Sequence, residues 1–159
     1  MPFLPLLLLA QAAAAPMAPD MKMEKPEPVC VRAGDLPPAF AKWNAPASTG
    51  LTIGAPYLAT GTEPSKLTGA VGDVVKRGGT ATALSFTVAK AGVYQVGLAS
   101  GAWVDVVSGG TALASAGHGH GPNCTGLRKI VDFKLASGRY TLQLSGIKTP
   151  TIKVMIVPK

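Results

Sequence analysis

The sequence predicts an all-β protein, an antiparallel β-sandwich of jelly-roll or Greek-key type, that follows a signal peptide and a flexible tether. Apolar residues alternate with polar ones in at least six segments, and successive strand side chains face opposite sides of a sheet. Breaks rich in Gly and Pro separate these segments, and the chain holds 19 Gly and 14 Pro. Charged residues make up only 14% of its 159 residues, which disfavours a long-helix or coiled-coil protein.

Residues 1–15 read as a signal peptide. An apolar run through Leu6, Leu7, Leu8 and Leu9 is followed by small residues around Ala12 and Ala14 suited to cleavage. The run is shorter than the roughly 20 apolar residues that cross a bilayer, so the mature form is expected to carry no transmembrane segment and to be periplasmic or extracellular. Residues 16–34 read as a tether rich in Pro and Met. The sandwich is expected over 35–159. Asp35 is placed to cap a short helix with Pro37 or Pro38 in its first turn. Phe40 and Trp43, three apart, are expected to dock together on the domain.

The strand segments then follow in order. Leu84, Phe86 and Val88 alternate with Ser85 and Thr87. Tyr94, Val96 and Leu98 alternate with Gln95 and Gly97. Val104 and Val106 alternate with Trp103 and Asp105. Val131, Phe133 and Leu135 form a fourth set, Tyr140, Leu142 and Leu144 a fifth, and Ile152, Val154 and Ile156 a sixth. Weaker candidates are residues 51–53, 71–75 and 111–113. About seven to nine short strands is the pattern of a sandwich. Lys148, Lys153 and Lys159 are expected to give the last strand a positive, edge-protecting face.

The segment from Phe86 to Leu98 is echoed from Phe133 to Leu144. Each reads strand, Gly-bearing corner, Tyr, strand. Tyr140 therefore resembles the tyrosine corner of Greek-key sandwiches, whose phenol bonds backbone across the corner. Tyr94 and Tyr140 keep the inward parity of their strands, so a structural role is favoured over ligand stacking.

Cys30 and Cys124 are the two cysteines. An even count in an exported chain points to a disulfide. It would close a loop of about 95 residues and on the chain-entropy model stabilise by about 4–5 kcal/mol.

The stretch Ala116-Gly117-His118-Gly119-His120-Gly121-Pro122-Asn123-Cys124 holds both histidines. It reads as a loop between strands, where scaffolds commonly carry function. One reading is a ligand loop in which His118, His120 and Asn123 offer hydrogen bonds. Another is a divalent transition metal (Zn, Cu or Fe) held by His118 and His120, with Glu63, Asp105 or a reduced Cys124 as a third ligand. A third is a structural turn pinned by Cys124. Trp103 and Asp105 share one strand face, either as an exposed platform for a sugar ring or partner or, the preferred reading, with Trp103 filling space under the N-terminal segment. Asp105 and Asp132 are expected on solvated faces.

Other chemistries find little support. There is no Gly-x-Ser-x-Gly elbow, no evident carboxylate pair among eight acids, and no basic run interleaved with aromatics to take nucleic acid. The net charge of +7 favours salt-dependent adhesion to anionic envelope polymers.

The run Ala102-Trp103-Val104-Asp105-Val106-Val107, with His118-Gly119-His120-Gly121-Pro122-Asn123-Cys124-Thr125-Gly126-Leu127-Arg128-Lys129 and Gly138-Arg139-Tyr140, resembles small exported bacterial β-sandwich proteins related to pre-peptidase C-terminal and carbohydrate-binding modules. The resemblance covers about 60 residues. Beside the alternative of a metal-binding protein or metal-dependent enzyme using His118 and His120, the residue readings above lead to a non-catalytic binding or structural module whose partner is an envelope polymer, a carbohydrate or another exported protein. Its ligand residues would be His118, His120, Asn123, Trp103 and Asp105. Some such proteins carry a homogentisate 1,2-dioxygenase label, which implies non-haem iron held by two His and a Glu.

Overall fold

The computed structural model describes residues 34–159. The segment expected to be a signal peptide, all but the last residue of the expected tether, and Cys30 lie outside the described residues. The described strands are β1 (Pro56–Thr60), β2 (Thr80–Val88), β3 (Gly92–Leu98), β4 (Trp103–Ser108), β5 (Thr111–Ala112), β6 (Gly117–Gly119), β7 (Lys129–Leu135), β8 (Gly138–Ile147) and β9 (Thr151–Pro158). They form two antiparallel sheets, ordered β1-β9-β3-β7-β6 and β2-β8-β4-β5. The chain repeatedly crosses from one sheet to the other, so strands adjacent in sequence mostly face each other across the core. This is the all-β sandwich that the alternation predicts.

The inward parity of each segment builds the core. Phe86 and Val88 of β2, Tyr94, Val96 and Leu98 of β3, Val106 of β4, Val131, Phe133 and Leu135 of β7, Tyr140, Leu142 and Leu144 of β8, and Ile152, Val154 and Ile156 of β9 are all buried together. Both tyrosines are corners. Tyr140 Oη donates to the Ala136 carbonyl at 3.0 Å and Tyr94 Oη to the Lys90 carbonyl at 2.6 Å. The Tyr140 ring also stacks on Phe86, with centroids 5.7 Å apart. Tyr140→Phe keeps the ring and removes the donor, leaving a corner carbonyl without its partner. It should cost about 1–2 kcal/mol, and unchanged chemical denaturation would refute the corner role.

β9 departs from expectation. It runs between β1 and β3 rather than at an edge, and its outward residues Met155 and Val157 are buried in a second cluster with Phe40, Trp43 and Leu127. Phe40 and Trp43 meet edge to face at 6.3 Å, as their spacing predicts. Gly97 of β3 makes this possible, because a side chain there would overlap the Phe40 ring and Leu127. Lys153 is drawn in by the same cluster: its Nζ lies 5.1 Å from the Trp43 ring centroid and donates to the Trp43 carbonyl. The helix before it is a three-residue 3-10 turn, Pro38–Phe40, whose N-cap is Pro37 without a side-chain cap. Asp35 therefore does not cap it.

Three weaker strand expectations resolve differently. Residues 71–75 form turns, because Val71 spends its N–H and C=O on the Gln143 side chain rather than on a neighbouring strand. Residues 51–53 give a single parallel bridge, Ile53 to Ile156. Residues 111–113 supply β5, which pairs with β4 only at Val107 and Ser108.

Asp132 is not solvated either. It sits opposite Gln95 on the outer face of the five-stranded sheet and accepts from Gln95 Nε2 at 3.0 Å and Lys159 Nζ at 2.6 Å. Burial alone would raise its pKa, but the two hydrogen bonds and the Lys159 charge outweigh it and hold the carboxyl below its ordinary value. A depressed carboxylate stabilises the fold above its unfolded pKa, and that contribution is lost as pH falls below about 4. Asp132→Asn should therefore lower the melting temperature at neutral pH and narrow its gap from wild type at the most acid pH. A constant gap would contradict this.

Candidate functional site

The sandwich is open on one flank. β4 has β8 on one side, but among the described residues its Trp103, Val104 and Asp105 have no strand on the other, since the β5 side reaches only to Val106, through the Leu113 N–H. Facing it across the core is the other sheet's edge, where β6 pairs with β7 and His118 lies opposite Val131. Between these edges lies a cleft of about 390 Å³.

Strand parity supplies the cleft with its chemistry. Val131 and Phe133 face inward on β7, and Lys129 and His118 share that face. Val104, Leu113, Val131 and Phe133 give apolar walls, while Trp103, Asp105, His118 and Lys129 bring polar groups to the rim. Lys129 is half-buried and donates from Nζ to the Ala102 carbonyl at 2.7 Å. Desolvation lowers its pKa from the usual lysine value, although the Asp105 charge pulls the other way.

Asp105 is the centre of a network that locks the rim. Its Oδ1 accepts from Trp103 Nε1 at 3.2 Å, and its Oδ2 accepts from Arg77 Nη1 at 2.9 Å and Gln143 Nε2 at 3.1 Å. The Arg77 Nη1 also donates to Ser145 Oγ at 2.8 Å, and the guanidinium lies 4.5 Å from the Trp103 ring centroid. The Asp105 carboxylate is thus 15% exposed rather than solvated. Trp103 is 54% exposed. This corrects the preferred expectation that it fills space under the N-terminal segment. The N-terminal segment packs instead on the opposite sheet, through its own Trp43, which is 1% exposed. The two tryptophans differ in what their strand faces meet, which the local sequence does not reveal.

Of the five predicted ligand residues, three converge here: Trp103, Asp105 and His118. His120 and Asn123 do not line the cleft. His118 belongs to the short edge strand β6, not to a loop, while exposed His120 places Nδ1 3.3 Å from the Arg128 carbonyl. Asn123 is exposed on the following turn. That turn is largely structural. Thr125 Oγ1 donates to the Pro122 carbonyl and accepts from the Leu127 N–H, which delivers Leu127 into the second apolar cluster. Gly121 is required because a Cβ would overlap the Leu127 backbone.

Lys129 was missed at the sequence level. The signal was present, since it shares the parity of Val131 and Phe133 and so points a cation inward.

The residues do not fit a metal centre. Among the described residues no three His, Cys, Asp or Glu side chains gather within reach of one ion. Glu63 is held on the surface by Lys66 at 3.1 Å, Asp105 is spent on three donors, and among the described residues no cysteine is free. The two-His, one-Glu set implied by the dioxygenase label is not assembled.

No protein-family model, curated protein or solved structure matches this chain. Among the described residues no helix is long and apolar enough to cross a membrane.

Proposed function

We propose that this protein is an exported, non-catalytic binding module whose flank cleft takes a small organic acid with an apolar body. The observation that carries this reading is the convergence of Lys129 and His118 on an apolar-walled cleft whose one carboxylate, Asp105, is already satisfied. The groups left to a ligand are the remaining Lys129 protons, the His118 ring and the Ser115 hydroxyl. Such a set recognises an anion, while Val104, Leu113, Val131 and Phe133 favour a hydrocarbon portion. The cleft volume is within the ordinary range of small-ligand sites.

Export to the periplasm or outside the cell agrees with the N-terminal apolar run and with the cysteine pair. Gly34 packs against the Asn123 backbone, so the chain enters the domain beside the turn that carries Cys124. This supports a Cys30–Cys124 bridge. The mass of the purified exported protein after alkylation without reductant should show no modified thiol.

Binding is tested by titrating the protein with hexanoate and phenylacetate. Either Lys129→Gln or His118→Ala should weaken binding about tenfold or more, the scale of one hydrogen bond to a charged group. Asn123→Ala should leave it unchanged. Equal losses in all three variants would contradict the assignment.

A further inference from the structure

The outer face of the four-stranded sheet carries a second recess that the flank cleft does not use. Half of this face is consumed by the Asp105, Arg77, Gln143 and Ser145 network under the segment 67–79. The other half is open. Its floor is made by short side chains, Ala83, Ser85 and Thr141, and it is walled by Thr68–Gly69 on one side and the Gly109–Gly110 turn on the other, enclosing about 430 Å³. At Ser85 and Arg139 this groove meets another recess of about 370 Å³ bounded by Leu51, Ile53 and Thr87. The two recesses thus share Ser85 and Arg139 in their linings, which sets them side by side on the sheet.

Arg139 stands where the two recesses join. It is exposed, and among the described residues it makes no hydrogen bond or ion pair. Cross-strand pairing sets Thr87 opposite Arg139 and Ser85 opposite Thr141. A planar guanidinium with a free fork of donors is thereby flanked by hydroxyls that both donate and accept. No carboxylate lines either recess, so nothing there repels an anion. Phe86 and Tyr140 are the aromatic residues at these surfaces, and both rings are buried in the core, which leaves no platform for stacking nucleobases.

We propose that this groove binds an acidic polysaccharide, with Arg139 pairing a carboxylate of the chain and Ser85, Thr87 and Thr141 exchanging hydrogen bonds with its hydroxyls. The net charge of +7 adds salt-dependent attraction of a polyanion, and the Arg139 pairing supplies the local contact.

The test is calorimetric titration of the full chain with oligogalacturonate, with neutral maltohexaose and polyuridylate for comparison. Saturable binding of oligogalacturonate is expected, with none of maltohexaose. Arg139→Gln should weaken it at least about tenfold. Lys42→Gln, which removes the same charge from an exposed site on the other side of the sandwich, should change it less than about twofold. Failure of the wild-type protein to bind oligogalacturonate overturns the proposal. So do equal losses from the two substitutions, which would mean diffuse charge attraction, or tighter Arg139-dependent binding of polyuridylate.

Discussion

Trp43→Ala should destabilise the protein by about 3–5 kcal/mol, the usual cost of deleting a fully buried large aromatic side chain. Trp43 is 1% exposed and lies in the cluster that covers the outer face of β9. Removing it deletes the edge-to-face contact with Phe40 and leaves a cavity over Met155 and Val157. It also strips the ring from beneath the Lys153 ammonium. The surroundings collapse poorly, because β9 is fixed on both sides by β1 and β3 and Leu127 is fixed by its own turn. Denaturant unfolding followed by circular dichroism measures the loss. A change below about 1 kcal/mol would mean that the N-terminal segment is not integral to the fold.

Asp105→Ala should cost about 2–4 kcal/mol, because it leaves three donors without their acceptor, two of them in partly buried bonds. These are the Arg77 guanidinium, the Gln143 amide and the Trp103 indole. Gln143 is 1% exposed and keeps its bonds to Val71, so the segment 67–79 should stay anchored at one point and loosen at Arg77. Asp105→Asn retains an acceptor oxygen and should lose less. The substitution to Ala also removes the charge that raises the Lys129 pKa, so Lys129 should titrate lower still in the variant. Thermal melts of the two variants, read beside Trp103 fluorescence, check the ordering. Equal stability of both variants and wild type would contradict the network.

The sandwich itself was legible because period two survives wherever one strand face meets the core. The inward residues from Phe86 to Ile156 follow it without exception at the six main segments. The Tyr140 corner was legible too, and Tyr94, at the same offset from a Gly-bearing corner in the echo, makes the same kind of bond. What periodicity does not encode is how outer faces are covered. On β9 the outward Met155 and Val157 signal a second burial, but only the position of Phe40, Trp43 and Leu127 in the fold tells what buries them. On β4 the outward Trp103 and Asp105 are covered in part by Arg77, 28 residues before Asp105, from a segment whose valines suggest a strand.

The site follows the same division. Trp103, Asp105 and His118 were chosen for their residue types, and the flank brings them together because β4 and β6 sit at matching edges of the two sheets. His120 and Asn123 have equally suitable side chains, but the turn that docks Leu127 carries them away. Strand edges are long-range facts, set by which segments pair. That is why Lys129, the most chemically unusual side chain in the cleft, gave no local signal beyond its parity.

The most direct test of the binding cleft is the Lys129 titration itself, read by NMR on protein with isotope-labelled, chemically unmodified lysines, with and without phenylacetate. The prediction is that Lys129 titrates below the exposed lysines, because burial disfavours its charge, and that the acid raises its pKa while shifting the His118 resonances. If Lys129 titrates with the exposed lysines and saturating phenylacetate moves neither it nor His118, the cleft is not an anion site and the proposed function is wrong.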